Sequence, residues 1–361
     1  MDLKTVLIAP DKFKGSLTAK RFCEIAEEEI KKYNKIVQVI TSPLADGGEG
    51  TLSCIANNLN AKLIQKKFSN ANFEKKTASY AIKDNIAFIE IAETCGLVNT
   101  KIKNPSITTT IGVGEQIVDA INAGATKIYL TLGGSSTNDA GCGMAAGVGY
   151  KFFNKAGKEF LPTGSTLSQI SRIEFPKEKI KAEIIALCDV KNVLFGKNGA
   201  AYVYAKQKGA TNEDLKILDD NLKAFNLICK KYGYNFENVE GAGAAGGLGA
   251  GAIFFLNAKL ESGIDTIFKL VDIDNKISKA DLIISGEGKI DEQSKFGKVV
   301  FSLKEKCANK NFVAFCGENK LKENPFQIIE INNKNSSLEE NIKNTENNLR
   351  NSIKEYLNGL Y

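Results

Sequence analysis

Short apolar runs of this chain end directly in polar loops that contain glycine. Stretches with the apolar spacing of helices, such as 18–32 and 212–232, lie between these runs. Alternation of buried strand-like runs with helical patterns is typical of α/β proteins that have a parallel sheet. The sequence therefore predicts an α/β fold. The loops, with the last residues of the runs before them, are APDKFKGS (9–16), PLADGGEGT (43–51), TLGGSSTNDAG (131–141) and ISGEGKIDEQS (284–294).

The middle of the chain follows a different pattern. The stretch 62–92 contains KLIQKKF, KTASYAI and IAFIEIA, which are half-alternating runs without helical segments between them. This pattern favours antiparallel strands. A length of 361 residues favours two domains. We expect one α/β domain built from both chain ends, 1–62 and 275–361, and an inserted mixed α+β domain at 63–274.

Two further segments carry local predictions. FFNKAGKEF (152–160) is typical of a hairpin that turns at Ala156 and Gly157. The tail that begins at Ser336 has apolar residues at helical spacing, which predicts a helix that packs on a core or on a partner. These residues are Leu338, Ile342, Leu349, Ile353, Leu357 and Leu360.

The composition excludes several kinds of catalysis. The chain contains no histidine and no tryptophan. Without imidazole, Ser-His-Asp and Cys-His nucleophile systems and histidine zinc sites are excluded. Chemistry must therefore come from carboxylates, lysines, hydroxyls, backbone amides and a hard metal ion.

Charge and cysteine usage give expectations about partners and location. Arginine, the residue most suited to nucleic-acid contacts, occurs at Arg21, Arg172 and Arg350, and a net charge of +6 is weak for this length. The eight cysteines are scattered, as in proteins with buried free thiols. The longest uncharged stretch, 241–258, is diluted by six glycines. We expect a cytoplasmic protein without a nucleic-acid or membrane partner.

The loop TLGGSSTNDAG has the clearest chemistry of the four. Gly133 and Gly134 allow close approach of a ligand to the backbone, and the next three residues carry hydroxyl groups. Two interpretations stay open. Backbone amides at the following helix start suit phosphate, whereas Asn138 or Asp139 also suits simple helix capping. The candidate ligand-binding residues are Gly133, Gly134, Ser135, Ser136, Thr137, Asn138 and Asp139.

Acidic and basic residues of the other loops supply the remaining candidates. In open parallel sheets, ligands bind beyond the carboxyl ends of the strands. A magnesium ion prefers oxygen ligands, and a base must be a carboxylate in a chain without imidazole. Each acid taken singly also fits a capping or surface role, and each lysine a solvated one. The candidates are Asp46, Glu49, Asp189, Glu287 and Asp291 among the acids, and Lys12, Lys14, Lys289 and Lys298 among the lysines.

Three familiar nucleotide-site motifs do not fit this chain. GAGAAG (241–246) matches G-x-G-x-x-G, but no strand-like run precedes it, and dense Gly and Ala favour tight helix packing or a loop that lines the site. G-x-x-x-x-G-K-[ST] does not occur, and the H-R-D loop of protein kinases needs histidine.

Taken together, the loops closely resemble the glycerate kinase type I family. The resemblance implies a two-domain α/β protein with one discontinuous Rossmann-like domain. It also implies transfer of the γ-phosphoryl group of ATP to D-glycerate, most often at the 2-hydroxyl, with Mg²⁺ as cofactor. After Gly317 the chain departs from the family pattern. The matching motifs, in order between residues 5 and 317, are APDKFKGSLTA, PLADGGEGT, TTTIGVGEQI, LGGSSTNDAGCGM, CDVKNVLFGKNGAA, KQKGA, GAGAAGGLGAG and SGEGKIDEQSKFGKV.

This family assignment suggests roles for individual residues. Asp189 or Asp46 would accept the proton of the glycerate hydroxyl, and Asp291 or Glu287 would hold magnesium. Lys14 would pair with the substrate carboxylate, and the 133–139 loop would cradle phosphate or glycerate. The remaining binding candidates are Lys12, Glu49 and Lys289.

Other readings of the same residues stay open. A glycerate 3-kinase would give 3-phosphoglycerate, and a non-catalytic sensor would bind the small molecule without consuming ATP. A nicotinamide dehydrogenase would use GAGAAG. A homodimer is one of the oligomeric states left open.

Overall fold

The computed structural model describes residues 3–295 and 297–360, which separate into two compact units. Unit 1 contains the described parts of 1–46, 53–60 and 264–361, and unit 2 contains 47–52 and 61–263. The domain boundaries at 62/63 and 274/275 stay predictions. Met1, Asp2 and Tyr361 of the predicted end-built domain, and Phe296 of the last family motif, lie outside the described residues.

The strands and helices alternate along much of the chain. The strands are β1 (Thr5–Ile8), β2 (Gln38–Thr41), β3 (Lys62–Ser69), β4 (Lys75–Lys83), β5 (Ile86–Glu90), β6 (Lys127–Thr131), β7 (Lys151–Phe153), β8 (Glu159–Phe160), β9 (Arg172–Glu174), β10 (Glu183–Leu187), β11 (Lys259–Glu261), β12 (Leu282–Ile290), β13 (Asn311–Asn319) and β14 (Gln327–Glu330). The α-helices are α1 (Ala19–Tyr33), α2 (Thr51–Leu59), α3 (Ala92–Cys95), α4 (Ile111–Asn122), α5 (Cys142–Gly147), α6 (Asn212–Lys230), α7 (Ala244–Leu256), α8 (Gly263–Leu270), α9 (Ile273–Lys279), α10 (Val299–Cys307), α11 (Leu338–Lys343) and α12 (Thr345–Asn358).

Unit 1 is built on a parallel sheet with the strand order β14-β13-β12-β1-β2. Of the two neighbours of β1, β12 is distant in sequence and β2 follows after helix α1. Parallel pairing requires such long connections. Helix α1 begins after Thr18, whose side chain accepts a hydrogen bond from the backbone N–H of Arg21. Its apolar face, which includes Phe22, Ile25 and Ile30, is buried. The predicted α/β fold class with a parallel-sheet domain is confirmed.

The polar loop predicted after the apolar run that ends at Gly286 is wrong for residues 287–290. Strand β12 continues through SGEGK to Ile290, because its pairing with β13 extends to the pair Ile290 and Asn319. Gly286 allows this, since a Cβ there would lie 2.6 Å from the carbonyl oxygen of Phe315. The glycines that suggested a loop therefore serve close strand packing, and Glu287 lies on a strand.

The tail forms α11 and α12, and part of its predicted apolar stripe is buried. Leu349, Ile353 and Leu357 pack into the core that α1 also lines. Leu338 and Ile342 are exposed. Arg350 of α12 joins this helix to α1 by donating hydrogen bonds to Glu28 and Glu29. The helix is therefore held by an apolar face and by ion pairs at its edge.

We expect Leu349→Ala to lower the free energy of unfolding by about 2–5 kcal/mol, because it opens a cavity in a packed core. Leu349 is 0% exposed, whereas Leu338 is 71% exposed. Leu338→Ala is the matched control and should change stability by less than about 0.5 kcal/mol. Urea unfolding of both variants measures this. Equal losses would contradict the placement of α12.

Unit 2 contains a mixed sheet with the order β11-β10-β6-β5-β4-β3. The pairs β3–β4 and β4–β5 are antiparallel, as predicted for 62–92, and the pairs from β5 to β11 are parallel. The predicted hairpin is confirmed as β7 and β8. Four parallel strands therefore lie side by side in the described part of this sheet, and their carboxyl ends share one edge.

The GAGAAG segment contributes to tight backbone packing, and its part in lining a ligand site stays a prediction. Its last three residues lie within the bounds of α7, where Ala245, Gly246 and Gly247 have left-handed backbone conformations. A Cβ at Gly246 would lie 2.0 Å from the carbonyl oxygen of Thr137. The backbone of this segment therefore packs directly on the 133–139 loop.

The predictions about cysteines and membrane segments can also be checked. The cysteines are free thiols, and all except Cys188 are buried. In the part of the chain that the structure describes, no helix has the length and apolar character needed to span a membrane.

Candidate functional site

Two glycine loops of unit 2 meet at the carboxyl edge of its sheet. One loop follows β6 and begins at Gly133, and the other is the segment 47–52. A Cβ at Gly133 would lie 2.4 Å from the Cα of Gly48, so the two backbones touch. Contact this close leaves room for glycine alone at position 133. The structure thus brings together two of the loops that the sequence singled out.

Glu90 holds one of these loops, and sequence reasoning missed it. It is the last residue of β5, which neighbours β6, and it is buried. Its carboxylate accepts hydrogen bonds from the backbone N–H groups of Gly50 (3.0 Å) and Leu52 (2.9 Å). The available signal was a carboxylate inside the apolar run IAFIEIA, where a buried charge needs partners.

We expect Glu90→Gln to lower kcat/KM by about tenfold or more. Two charge-assisted hydrogen bonds from backbone N–H groups are lost, and the new side-chain amide N–H faces one of those backbone N–H groups. Steady-state kinetics with each substrate measures this. Glu178→Gln is the matched control, since Glu178 is exposed in the same unit. An unchanged kcat/KM in Glu90→Gln would show that the loop does not need this anchor.

The hydroxyl-bearing part of the loop is buried and differs residue by residue. Ser135 Oγ accepts a hydrogen bond from the Lys208 ammonium at 2.8 Å. Ser136 Oγ donates to the carbonyl of Cys95 and accepts from Thr100 Oγ1, so its hydrogen bonds are made within the protein. Ser136 therefore stabilises the loop from inside.

Asp139 ties the loop to two helix starts. Its carboxylate accepts hydrogen bonds from the N–H and hydroxyl of Thr110, before α4, and from the N–H groups of Gly141 and Gly143 at the start of α5. Burial raises the pKa of this carboxyl above its usual value, and these hydrogen bonds make the rise smaller. Of the two interpretations of the sequence, helix capping describes Asp139.

Two other side chains of the loop lack such partners. Thr137 Oγ1 and both polar atoms of the Asn138 amide are buried and make no hydrogen bond within the described residues. An unsatisfied buried polar group costs about 1–3 kcal/mol, so such groups are rare in folded proteins. Their concentration in one loop is typical of a site adapted to a ligand.

Asp189 lies at the same edge of the sheet. It follows β10, which pairs with β6, and its Oδ1 accepts hydrogen bonds from Ser262 Oγ and the N–H of Gly263, each at 2.9 Å. Its Oδ2 is 3.6 Å from the position of a Cβ on Gly47. Asp189 is exposed, and Glu49 in the neighbouring loop is half-buried. Both predicted acids therefore lie beside the touching glycine loops.

A second group of candidate residues lies in unit 1, after the end of β1 and on the last part of β12. The N–H of Asp11 donates to the carbonyl of Gly286, which places Asp11 beside Glu287. Lys298 Nζ lies 3.4 Å from Glu287 Oε2. Glu287 Oε1 is buried and has no hydrogen-bond partner among the described residues. Sequence reasoning missed Asp11 because APDKFKGS, with two lysines beside it, does not indicate that Asp11 is buried.

The two carboxyl groups are held in an environment that favours protonation. Burial raises the pKa of Asp11 to about 6, and nearby Asp46 adds to this, while Lys12 and Lys298 oppose it. Burial also raises the pKa of Glu287 to about 7, with Asp11 adding and Lys298 opposing. Carboxyls with such shifts occur frequently at functional sites.

The remaining predicted residues of unit 1 lie around this group or beside it. Lys12 is half-buried, and Lys14 is exposed in the turn before α1. Lys289 and Asp291 form an ion pair at 2.8 Å. Asp291 Oδ1 also accepts from the N–H groups of Gln293 and Ser294, so Asp291 stabilises its own turn. The described residues contain no group of three or more Cys, Asp or Glu arranged to hold a metal.

Comparison with known proteins gives a consistent result. The model of the glycerate kinase family matches residues 6–360. A glycerate kinase from Bacillus cereus is 41% identical over 309 residues, which is 83% of this chain and 81% of the relative. A protein from Escherichia coli named glycerate 2-kinase is 36% identical over 302 residues, 81% of this chain and 79% of the relative. A crystal structure of a candidate glycerate kinase 2 from Salmonella typhimurium LT2 has a TM-score of 0.86 and 30% identity, and the match covers 99% of this chain and 98% of the other.

Proposed function

We propose that this chain, which belongs to the glycerate kinase family, transfers the γ-phosphoryl group of ATP to the 2-hydroxyl of D-glycerate. The product is 2-phosphoglycerate. The family match over nearly the whole chain carries this proposal. The 2-position is supported by the name of the Escherichia coli relative, glycerate 2-kinase. A kinase of this kind needs positioning and charge neutralisation more than covalent chemistry, which suits a chain without histidine.

The group in unit 2 fits the acceptor substrate. Glycerate is a small acid with two hydroxyl groups, and the 133–139 loop carries hydroxyl and amide groups and contacts the ammonium group of Lys208. Thr137 and Asn138 have unsatisfied polar atoms, which a hydroxy acid can pair. Ser136 and Asp139 maintain the loop conformation.

Asp189 is the proposed acceptor of the proton from the 2-hydroxyl. It lies next to Gly47 and the loop that follows β6, and the Gly263 N–H fixes its carboxylate. Asp46, the alternative base, is grouped with Asp11 in unit 1. Since the hydroxyl-rich loop and Asp189 share one sheet edge, we favour Asp189.

The group in unit 1 fits a magnesium ion bound together with a nucleotide. Mg²⁺ is bound by one or two carboxylates and by substrate phosphates in such sites, so a protein cage of three ligands is not required. Glu287, with its unsatisfied buried oxygen, and Asp11 would hold the ion. When bound, the ion would neutralise charge on the phosphates. Asp291 fits less well, because Lys289 and two backbone amides already contact its carboxylate.

Several roles remain predictions. Lys12 and Lys298 would add positive charge for phosphate, and Lys289 would do so only if its pair with Asp291 opened. The pairing of Lys14 with the substrate carboxylate stays a prediction, and the unit 2 group that we assign to glycerate does not include Lys14. A homodimer is the oligomeric state to test by sedimentation.

An ADP-release assay with D-glycerate, followed by NMR identification of the product, tests the reaction. We expect ADP release that depends on both glycerate and Mg²⁺, with 2-phosphoglycerate as product. Formation of 3-phosphoglycerate would overturn the proposed position. Glycerate binding without ADP release would favour a non-catalytic binding protein.

A further inference from the structure

Lys208 differs from the lysines on the surface of this chain because its ammonium group is buried. The residue is 3% exposed and lies in the short helical turn Lys206–Lys208, within the motif KQKGA. Its Nζ donates hydrogen bonds to Ser135 Oγ and to the carbonyl oxygen of Thr137, each at 2.8 Å. The ammonium therefore bridges two points of the loop that follows β6, across about 70 residues of sequence.

The positive charge of Lys208 is not matched by a neighbouring carboxylate. Both hydrogen-bond acceptors are neutral, and within the described residues no Asp or Glu lies within 4.0 Å of Nζ. Asp139 is the acidic group that acts on it from the same loop, and its carboxylate is already bonded to Thr110, Gly141 and Gly143. A buried charge without an ion partner is costly, so an anion from outside the protein would stabilise it.

We propose that Lys208 is a positioning residue for the acceptor substrate: it holds the Ser135–Thr137 segment in its binding conformation and gives that segment the positive charge that selects a carboxylate. This inference rests on the proposed assignment of the unit 2 group to glycerate. Thr137 Oγ1 and the Asn138 amide, both unsatisfied, would complete the recognition of the hydroxyl groups.

The pKa of Lys208 is consistent with this arrangement. Burial lowers the pKa to about 8, and Cys95 and Asp139 act in the opposite direction. The amine is thus charged at neutral pH, and a bound anion would stabilise this charged form further.

A structural lysine and a substrate-selecting lysine predict different results on substitution. Removal of a buried ammonium that serves only the fold would lower thermal stability and would change the KM for both substrates together. A lysine that serves glycerate recognition would change glycerate binding specifically, and an apolar replacement of similar volume would be tolerated by the fold.

The experiment compares wild type, Lys208→Met and Lys206→Met. We expect Lys208→Met to raise both the KM and the calorimetric Kd for D-glycerate by about 10- to 100-fold, the effect of losing a hydrogen-bonding charge. KM for ATP should stay within about twofold, and the thermal midpoint should be preserved. Lys206 is exposed on the same turn, so Lys206→Met should behave as wild type.

A second variant keeps the test decisive if Lys208→Met does not fold. Lys208→Gln keeps an N–H donor on a side chain one bond shorter but lacks the charge, and we expect the same specific loss of glycerate affinity. Unchanged glycerate affinity in a folded Lys208 variant, or a loss confined to ATP, would overturn the inference. Wild-type protein that binds glycerate without turnover would instead refute the proposed reaction, while the binding comparison would still decide the role of Lys208.

Discussion

The Asp189→Asn variant is expected to lose about 10²–10⁴-fold in kcat, the usual contribution of a positioned general base. The amide is nearly isosteric with the carboxylate and can still accept the hydrogen bonds from Ser262 and Gly263. The loop geometry and the KM for glycerate should therefore change little. Steady-state kinetics, with circular dichroism to verify folding, measures the effect.

The control for this variant is the same substitution at an exposed turn. Asp84 is exposed and has a φ of 53°, a conformation that asparagine also adopts. Asp84→Asn should have the activity of wild type. A kcat within a few-fold of wild type in folded Asp189→Asn would exclude Asp189 as an essential base and direct attention to Asp46.

The Gly133→Ala variant is expected to lose about 10²-fold or more in kcat/KM. The added Cβ would lie 2.4 Å from the Cα of Gly48, and a backbone atom cannot move aside as a flexible side chain can. One or both glycine loops must shift, and a displacement of about 1 Å in a positioning element is enough for a loss of this size. Kinetics and thermal unfolding should be measured together.

Gly359→Ala is the matched control. A Cβ at Gly359 would meet no described atom nearer than 3.5 Å, apart from its chain neighbours. It should therefore leave activity unchanged. Wild-type kinetics in Gly133→Ala would mean that contact between the loops does not set the site geometry.

Local sequence patterns were sufficient for much of the fold. Helix α1, the antiparallel strands of 62–92 and the hairpin of β7 and β8 follow from apolar spacing and turn residues, which act over a few neighbours. The prediction was wrong at 287–290, where the neighbouring glycines usually indicate a loop. There the pairing with β13 decides, and the sequence near Gly286 does not contain that information.

The residues that sequence reasoning missed share one property. Glu90, Asp11 and Lys208 are single polar residues whose importance depends on distant partners. Glu90 bonds to a loop about 40 residues away, and Lys208 to one about 70 residues away. In the sequence, Glu90 is one acid in an apolar run, and Lys208 is one of many lysines.

The sequence by itself determined the α/β class, the family and the chemistry available to a chain without histidine. These depend on residue types and on spacing along the chain. Tertiary structure alone decided which polar groups are satisfied: Asp139 is occupied by two helix starts, whereas Asn138, next to it, has no hydrogen-bond partner in the described residues. The physical reason is that burial and hydrogen bonding are set by groups far apart in sequence, and these two conditions separate a capping acid from a residue that can receive a substrate.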